Sequence, residues 1–109
     1  GIRPMLDALY PPPQRLVSPA DETIVCRCEE LTAGDIRRAA ALASPGINQL
    51  KAFTRAGMGP CQGRQCGYTI ANIIASEQKR QVTQQDFYRI RPPLKPVTLG
   101  EIISLQVDD

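Results

Sequence analysis

The sequence has 109 residues, a length that suits one small domain with extensions. Its net charge of +2, with 22% charged residues, provides no strong electrostatic field, so binding to nucleic acid or to a membrane surface is not predicted. No apolar run approaches the roughly 18 residues that span a bilayer, and no signal-peptide pattern opens the chain, so a cytoplasmic location is expected. Histidine is absent, which excludes Cys/His zinc sites, Rieske centres and histidine general bases.

Residues 1–20 are rich in proline and are predicted to form an extended, polyproline-like lead-in. Apolar side chains within it suggest at most one short turn, at Met5, Leu6, Leu9 and Tyr10. Because the first residue is Gly1 rather than Met, we expect a processed or excised piece of a protein, or a tag remnant.

Residues 21–80 are predicted to be the compact domain, built from three helices and mainly α in class. Thr32 and Asp35 resemble a capping box that opens the first helix. Ser44-Pro45 offers an N-cap and a first-turn proline for the second helix, and Gly57 a stop. The third helix is expected to begin near Gly63 or Arg64 and to end before residue 81. Val25 and its neighbours have strand character but no convincing sheet partner.

Residues 81–109 are predicted to form a C-terminal docking segment, largely extended between two helix-cap signals. The cap signals are Thr83 before Asp86 and Thr98 before Glu101.

The four cysteines form two close pairs, Cys26-Arg-Cys28 and Cys61-Gln-Gly-Arg-Gln-Cys66, separated by 32 residues in the sequence. This spacing favours one site with four thiolate ligands, which would also stabilise a domain too small to bury much apolar surface. Disulfides, four inert thiols and a structural zinc are the alternatives. Zinc fits the second pair and fits the Cys-x-Cys pair poorly.

An iron–sulfur cluster is favoured because its net negative charge requires nearby donors and cations. Glycines around the second pair would let backbone N–H groups approach sulfur, and Cys66 is expected in the first turn of the third helix, where the dipole is positive. The predicted outer contacts of the cluster are Arg27, Gly59, Gly63, Arg64 and Gly67.

Three segments together resemble the bacterioferritin-associated-ferredoxin-like [2Fe-2S] domain. They are Ile-Val-Cys-Arg-Cys-Glu-Glu, Asp-Ile-Arg-Arg-Ala and Gly-Met-Gly-Pro-Cys-Gln-Gly-Arg-Gln-Cys-Gly. The resemblance covers about residues 23–77 and implies a small helix-turn-helix fold with one cluster on Cys26, Cys28, Cys61 and Cys66. The second pair has four intervening residues, whereas the founding ferredoxin has two.

The sequence Phe-Tyr-Arg-Ile-Arg-Pro-Pro-Leu-Lys-Pro-Val-Thr-Leu-Gly-Glu over residues 87–101 looks like the C-terminal end of the larger subunit of opine oxidases and hydrogen cyanide synthase. This resemblance implies a hetero-oligomer with flavoprotein dehydrogenase subunits, in which the cluster passes electrons without being catalytic alone. The sequence has no dinucleotide-binding glycine motif, so FAD or FMN is expected on a partner chain or a missing region. The predicted docking residues are Arg91, Leu94, Leu99, Ile102 and Ile103.

Two other functions compete with this interpretation. Arg37 and Arg38 on an exposed helix face would suit a DNA-binding, redox-sensing regulator, although acidic residues lie close by. An iron-handling ferredoxin that docks to ferritin is a further alternative, as is a zinc-stapled interaction domain.

Overall fold

The computed structural model describes residues 1–43, 46–89 and 97–105. Its elements are, in chain order, α1 (Arg3–Leu9), α2 (Gln14–Val17), β1 (Ile24–Cys26), β2 (Leu31–Thr32), α3 (Ala33–Ala43), α4 (Ile47–Thr54), α5 (Gly67–Glu77), a 3₁₀ turn (Gln84–Asp86) and α6 (Leu99–Ile103). The prediction of a mainly helical fold is confirmed.

The hydrophobic core lies where α5 packs against α3 and, to a smaller extent, against α2 and α4. Helix α5 supplies most of the apolar surface, because seven of its eleven residues are buried. The largest fully buried side chains around it are Ile36, Ile47, Leu50, Ile70, Ile73 and Ile74, together with two of the four cysteines. The core is therefore continuous with the cysteine site.

Helix α3 begins at the predicted capping box. The Thr32 hydroxyl accepts a hydrogen bond from the Asp35 amide (3.2 Å), and the Asp35 carboxylate accepts one from the Thr32 amide (2.9 Å). These two bonds satisfy backbone donors that a helix start would otherwise leave unpaired. The bond from the Thr32 amide is the largest cause that lowers the pKa of Asp35, followed by a bond from the Thr32 hydroxyl to the same carboxylate.

The predicted strand around Val25 does find a partner. Strands β1 and β2 pair antiparallel, with Ile24 opposite Thr32 and Cys26 opposite Leu31, and the register is irregular between Ile24 and Cys26. The expectation that this strand has no sheet partner was therefore wrong. A two-residue strand is too short to show an alternating pattern in the sequence, and the pairing depends on the turn between the strands.

The predicted stop of α4 at Gly57 was wrong. The helix ends at Thr54, and Arg55 adopts the left-handed conformation (φ 63°) usually taken by glycine after a helix. Helix α5 begins at Gly67, later than the predicted start near Gly63 or Arg64. The Ser44-Pro45 cap lies outside the described residues.

The lead-in is helical in part rather than extended. Pro4 lies in the first turn of α1, where the missing amide of proline costs no hydrogen bond. Helix α2 packs against α5, and Pro19 is buried. Its carbonyl accepts a hydrogen bond from the Arg37 guanidinium at 2.7 Å. Contacts with the domain therefore overcome the extended preference of the prolines.

Both cap signals of the C-terminal segment are confirmed, so this segment is also helical in part. The Thr83–Asp86 box opens the 3₁₀ turn, and the Thr98–Glu101 box opens α6. In the described parts of the chain, no helix is long and apolar enough to cross a membrane.

Candidate metal centre

The four cysteines come from two places in the fold. Cys26 ends β1 and is buried, and Cys28 follows it at the surface. Cys61 lies half-buried in the loop between α4 and α5. Cys66 is buried at the N-cap position of α5, one residue before the helix begins and not in its first turn as predicted. All four thiols are free, so the disulfide alternative is not supported.

The fold joins the thiols across the two sequence pairs. The Cys28 thiol lies within hydrogen-bonding reach of the Cys61 sulfur, and the Cys66 thiol lies within reach of the Cys26 sulfur. The thiols therefore form an exposed pair (Cys28 and Cys61) and a buried pair (Cys26 and Cys66). Among residues 1–43, 46–89 and 97–105, no three His, Cys, Asp or Glu side chains are grouped as a site for one metal ion.

Backbone amides surround the sulfur of Cys61. The Gln65 amide is the strongest cause that lowers the pKa of Cys61, and burial opposes it. The Gly63 and Arg64 amides act in the same direction as the Gln65 amide. Two successive left-handed residues, Gln62 (φ 54°) and Gly63 (φ 75°), turn the chain at this point. A run of amides in such a turn forms a concave site for negative charge.

The buried pair has the opposite electrostatic environment. Burial is the main cause that raises the pKa of Cys66 to about 12, and the charge of Cys26 adds to it. A thiol in this position stays protonated at neutral pH unless a cation replaces its proton. A metal centre at the buried pair would therefore have to displace the proton of Cys66.

Gly59 is the glycine that approaches a ligand most closely. A Cβ atom added at Gly59 would lie 2.2 Å from the Cys28 Cβ and 3.0 Å from its sulfur. The loop before Cys61 therefore touches the chain at Cys28 directly, whereas the predicted approach of the Gly59 amide to sulfur stays a prediction. Any larger residue at this position would push the two cysteine-bearing segments apart.

Tyr88 is a neighbour of the site that sequence reasoning missed. Its hydroxyl donates to the Ala56 carbonyl (2.9 Å) and lies within hydrogen-bonding reach of the Cys66 sulfur. Burial, followed by the charges of Cys66 and Cys26, raises the pKa of Tyr88. The three glycines that surround its ring were the available signal, but they were assigned to the approach of backbone to sulfur.

Those glycines make room for the tyrosine. A Cβ at Gly57 would lie 2.4 Å from the Tyr88 ring, and one at Gly63 would lie 2.5 Å from it. At Gly67 the corresponding distance is 3.2 Å. The predicted contact with the cysteines therefore holds for the amide of Gly63, whereas the open side of Gly67 faces Tyr88.

The two arginines predicted beside the cluster are exposed. The Arg64 side chain donates to the Gln62 side chain at 2.6 Å, and its amide faces Cys61. Arg27 lines a cleft with Leu16 and Thr69. Arg64 therefore acts on the site through its backbone, and the side-chain role predicted for both arginines stays a prediction.

The arginines that suggested DNA binding are engaged in ion pairs. Arg37 contacts Asp21 and lies 3.7 Å from Glu77, and Arg38 contacts Asp35. These pairs neutralise the basic surface of α3, which a regulator would need for phosphate contacts. The structure therefore gives this alternative no support.

The predicted docking residues are only partly described. Leu99 and Ile103 on α6 are about four-fifths exposed, at 79% and 82%, and Ile102 is 48% exposed. No residue of α6 is buried, so packing of this helix against the chain's own core is not observed. Arg91 and Leu94 lie outside the described residues.

The family model of the sarcosine oxidase A3 domain matches residues 20–104. The chain belongs to this family. The resemblance to opine oxidase and hydrogen cyanide synthase is confirmed as family membership, whereas the ferredoxin-like cluster domain remains a prediction. No solved structure matches the chain.

Curated relatives are subunits of oxidoreductases. The chain is 50% identical to an opine oxidase subunit of Rhizobium meliloti over 105 residues, which cover 96% of this chain and 23% of that protein. It is 44% identical to the hydrogen cyanide synthase subunit HcnB of Pseudomonas aeruginosa over 88 residues, 77% of this chain and 18% of that protein. An anaerobic glycerol-3-phosphate dehydrogenase subunit of Haloferax volcanii is 36% identical over 89 residues, 72% of this chain and 15% of that protein.

The chain thus spans about a fifth of the length of the curated relatives it matches. Those relatives carry names of oxidoreductases or of their subunits.

Proposed function

We propose that the chain holds one [2Fe-2S] cluster on Cys26, Cys28, Cys61 and Cys66 and transfers electrons within a flavin-dependent dehydrogenase complex. The observation that carries this proposal is the pairing of thiols across 32 residues of sequence, Cys28 with Cys61 and Cys26 with Cys66. Such pairing requires the helical core to bring the two segments together. Four cysteine thiolates are the ligand set that holds a [2Fe-2S] cluster.

The donor set fits this cofactor in number, type and charge. Four thiolates, two ferric ions and two sulfides sum to a charge of −2, and the amides of Gly63, Arg64 and Gln65 face that charge. The cluster, when bound, supplies one-electron redox chemistry. The backbone amides stabilise its negative charge, and the core around Cys66 keeps water from one side of it.

The relatives support the setting of this site. Their names describe subunits of opine oxidase, hydrogen cyanide synthase and glycerol-3-phosphate dehydrogenase, which are oxidoreductases. The chain offers no acid, base or nucleophile arrangement of its own, so the oxidation of substrate is assigned to partner subunits that carry FAD or FMN. The exposed apolar residues of α6 would contact such a partner.

The test begins with metal content. The 109-residue chain is purified without oxygen, and iron, sulfide and zinc are counted before an absorption spectrum is recorded. We expect about two irons and two sulfides per chain, with visible bands that bleach on dithionite reduction and a rhombic S = 1/2 electron paramagnetic resonance signal. One zinc and no colour would contradict the proposal and favour a zinc-stapled interaction domain.

The partner is tested separately. The chain in its iron-loaded state is mixed with a reduced flavoprotein subunit of a related dehydrogenase, and bleaching of the visible bands is followed in time. Stoichiometric bleaching supports electron transfer from flavin. An iron-loaded chain that no reduced flavoprotein bleaches, although dithionite does, would leave a structural cluster and exclude the assigned role.

A further inference from the structure

We propose that Tyr88 closes the cysteine site, which makes the segment after the 3₁₀ turn part of the metal centre. The inference depends on the proposed function only where it concerns the reduction potential. Its basis is the position of one aromatic ring relative to the loop between α4 and α5. Tyr88 is a positioning residue in this scheme, because it acts on the site through the loop and through the exclusion of water.

Tyr88 fits the loop sterically. Its ring fills the space that side chains would take at Gly57 and Gly63 in the loop and at Gly67, the first residue of α5. Gly57 and Gly63 also have positive φ values of 79° and 75°. Glycine at these two places therefore serves the backbone turn and the ring contact together. Such a fit is specific for a planar side chain placed on the loop.

The Tyr88 hydroxyl ties the tail to the start of the loop. Tyr88 donates to the carbonyl of Ala56 at 2.9 Å, and Ala56 is fully buried. A buried carbonyl without a donor is costly, so this bond fixes the start of the loop to the tail. The ring also packs against the buried cluster that contains Cys66. The ring therefore spans the loop from its start to the first residues of α5.

The tail is held in place by contacts of the two residues that precede Tyr88. Asp86 accepts two hydrogen bonds from the Arg80 guanidinium, at 2.6 and 2.7 Å, which lowers the pKa of Asp86. Phe87 then stacks on Tyr68 of α5, with ring centroids 6.5 Å apart. These contacts direct the chain back toward the loop. The contacts of Asp86 and Phe87 therefore fix the position of Tyr88 beside the site.

Closure by Tyr88 affects one side of the site. The ring lies at Cys66, whereas Cys28 stays exposed. Water near a cluster favours the reduced state, because that state carries one more negative charge. Removal of the ring should therefore admit water to the Cys66 side and make the reduction potential more positive.

The test compares Tyr88→Ala and Tyr88→Phe with the wild type, and uses Tyr10→Ala as the control, because Tyr10 is 76% exposed. The first readout is the alkylation rate of Cys66 in the metal-free chain, followed by mass spectrometry. Tyr88→Ala should raise this rate about tenfold, because the ring no longer covers the thiol. Tyr88→Phe should rescue most of the effect, and the control should leave the rate unchanged.

The second readout is the reduction potential of the iron-loaded chain, with cluster release to a chelator measured beside it. Tyr88→Ala should shift the potential to more positive values and release the cluster about tenfold faster. Tyr88→Phe should stay close to the wild type in both. An unchanged potential in Tyr88→Ala would overturn the proposed influence of Tyr88 on the centre.

Gly67→Ala provides a variant that keeps the tyrosine. Among the described residues, its new methyl group would meet the Tyr88 ring at 3.2 Å, so it should shift the ring and accelerate Cys66 alkylation. In the Tyr88→Ala background the same substitution should have no further effect. Additive effects of the two substitutions would contradict the contact.

The two proposals fail in different ways. A wild-type chain without iron would refute the proposed function, and the alkylation rates would still decide whether Tyr88 closes the site. Cys66 alkylation that is equal in Tyr88→Ala and in the wild type, with helix content retained in circular dichroism, would overturn the closure itself.

Discussion

The exposed and the buried thiol pairs differ in every property that the fold can set. Cys28 is exposed and Cys61 is half-buried, and the Cys61 sulfur faces a turn of backbone amides. Cys26 and Cys66 are 1% and 2% exposed and belong to the hydrophobic core. The contrast shows that one half of the site belongs to the hydrophobic core, whereas the other half lies closer to the surface.

This asymmetry gives the proposed cluster an orientation. Electron transfer to another protein needs close approach, and the exposed pair is the side at which a partner can come near. Met58, which lies in the same loop as Cys61, is an exposed apolar side chain (52%) that could contact such a partner. The buried pair would hold the cluster rigidly against α5. The division between the two pairs can be tested by substitution, alkylation and unfolding.

The largest difference is expected from removal of single thiols. Cys26→Ala and Cys66→Ala should abolish iron binding and lower the free energy of unfolding of the metal-free chain by about 1–3 kcal/mol, because each leaves a gap in the core. Cys28→Ala and Cys61→Ala should also impair iron binding but change that free energy by less than about 0.5 kcal/mol. Iron analysis and urea unfolding measure both effects. Equal destabilisation by all four would contradict the division.

The second prediction concerns the reactivity of the thiols in the metal-free chain. At pH 8 about one Cys66 thiol in ten thousand is ionised, given its pKa of about 12, so it should react more than about a hundredfold more slowly than Cys61. The rate at Cys66 should rise about tenfold per pH unit between pH 8 and pH 10, whereas Cys61, with its lowered pKa, should level off first. Alkylation with mass-spectrometric readout checks the order.

The third prediction uses the close contact at Gly59. Gly59→Ala should destabilise the chain by about 1–3 kcal/mol, because the new methyl group overlaps the side chain of Cys28. The exposed pair should be disturbed first, so alkylation of Cys28 and Cys61 should change while Cys66 stays protected. Gly46→Ala is the matched control, because no atom outside its chain neighbours lies within 4 Å of a Cβ there.

The smallest effect is expected from the ion pair near the exposed thiols. Arg55 donates to the Glu29 carboxylate at 3.0 Å and so joins the residue after Cys28 to the end of α4. The Arg55 side chain is 65% exposed, so Glu29→Gln should cost less than about 1 kcal/mol, and high salt should remove the difference. Urea unfolding at two salt concentrations measures it. A larger cost that persists in salt would show that the exposed half also supports the core.

Short-range signals in the sequence predicted much of this structure. The capping boxes at Thr32, Thr83 and Thr98 formed as expected, because each depends on two side chains three residues apart. The two cysteine pairs also meet in the fold. Their spacing indicated this, because a helical hairpin between two close pairs can bring its ends together. Local rules are sufficient where the interaction itself is local.

The features that sequence reasoning missed depend on contacts between distant residues. Arg55 took the left-handed cap position that Gly57 was expected to occupy, and its ion pair with Glu29 accompanies that choice. Tyr88 reaches the site from 32 residues beyond Ala56, a separation that no local pattern encodes. The glycine spacing was visible, but the ring that uses it could be identified only in the fold.

The contacts of Arg37 set the N-terminal boundary of any fragment that is to keep this domain intact. It contacts Asp21 and Glu77 and donates to the carbonyl of Pro19, which ties the end of the lead-in to α3 and α5. A fragment that begins at residue 21 would lose that carbonyl, the buried Pro19 ring and the cover of α2 on α5. Anyone who excises the cysteine-bearing unit from a longer polypeptide should therefore start no later than residue 14.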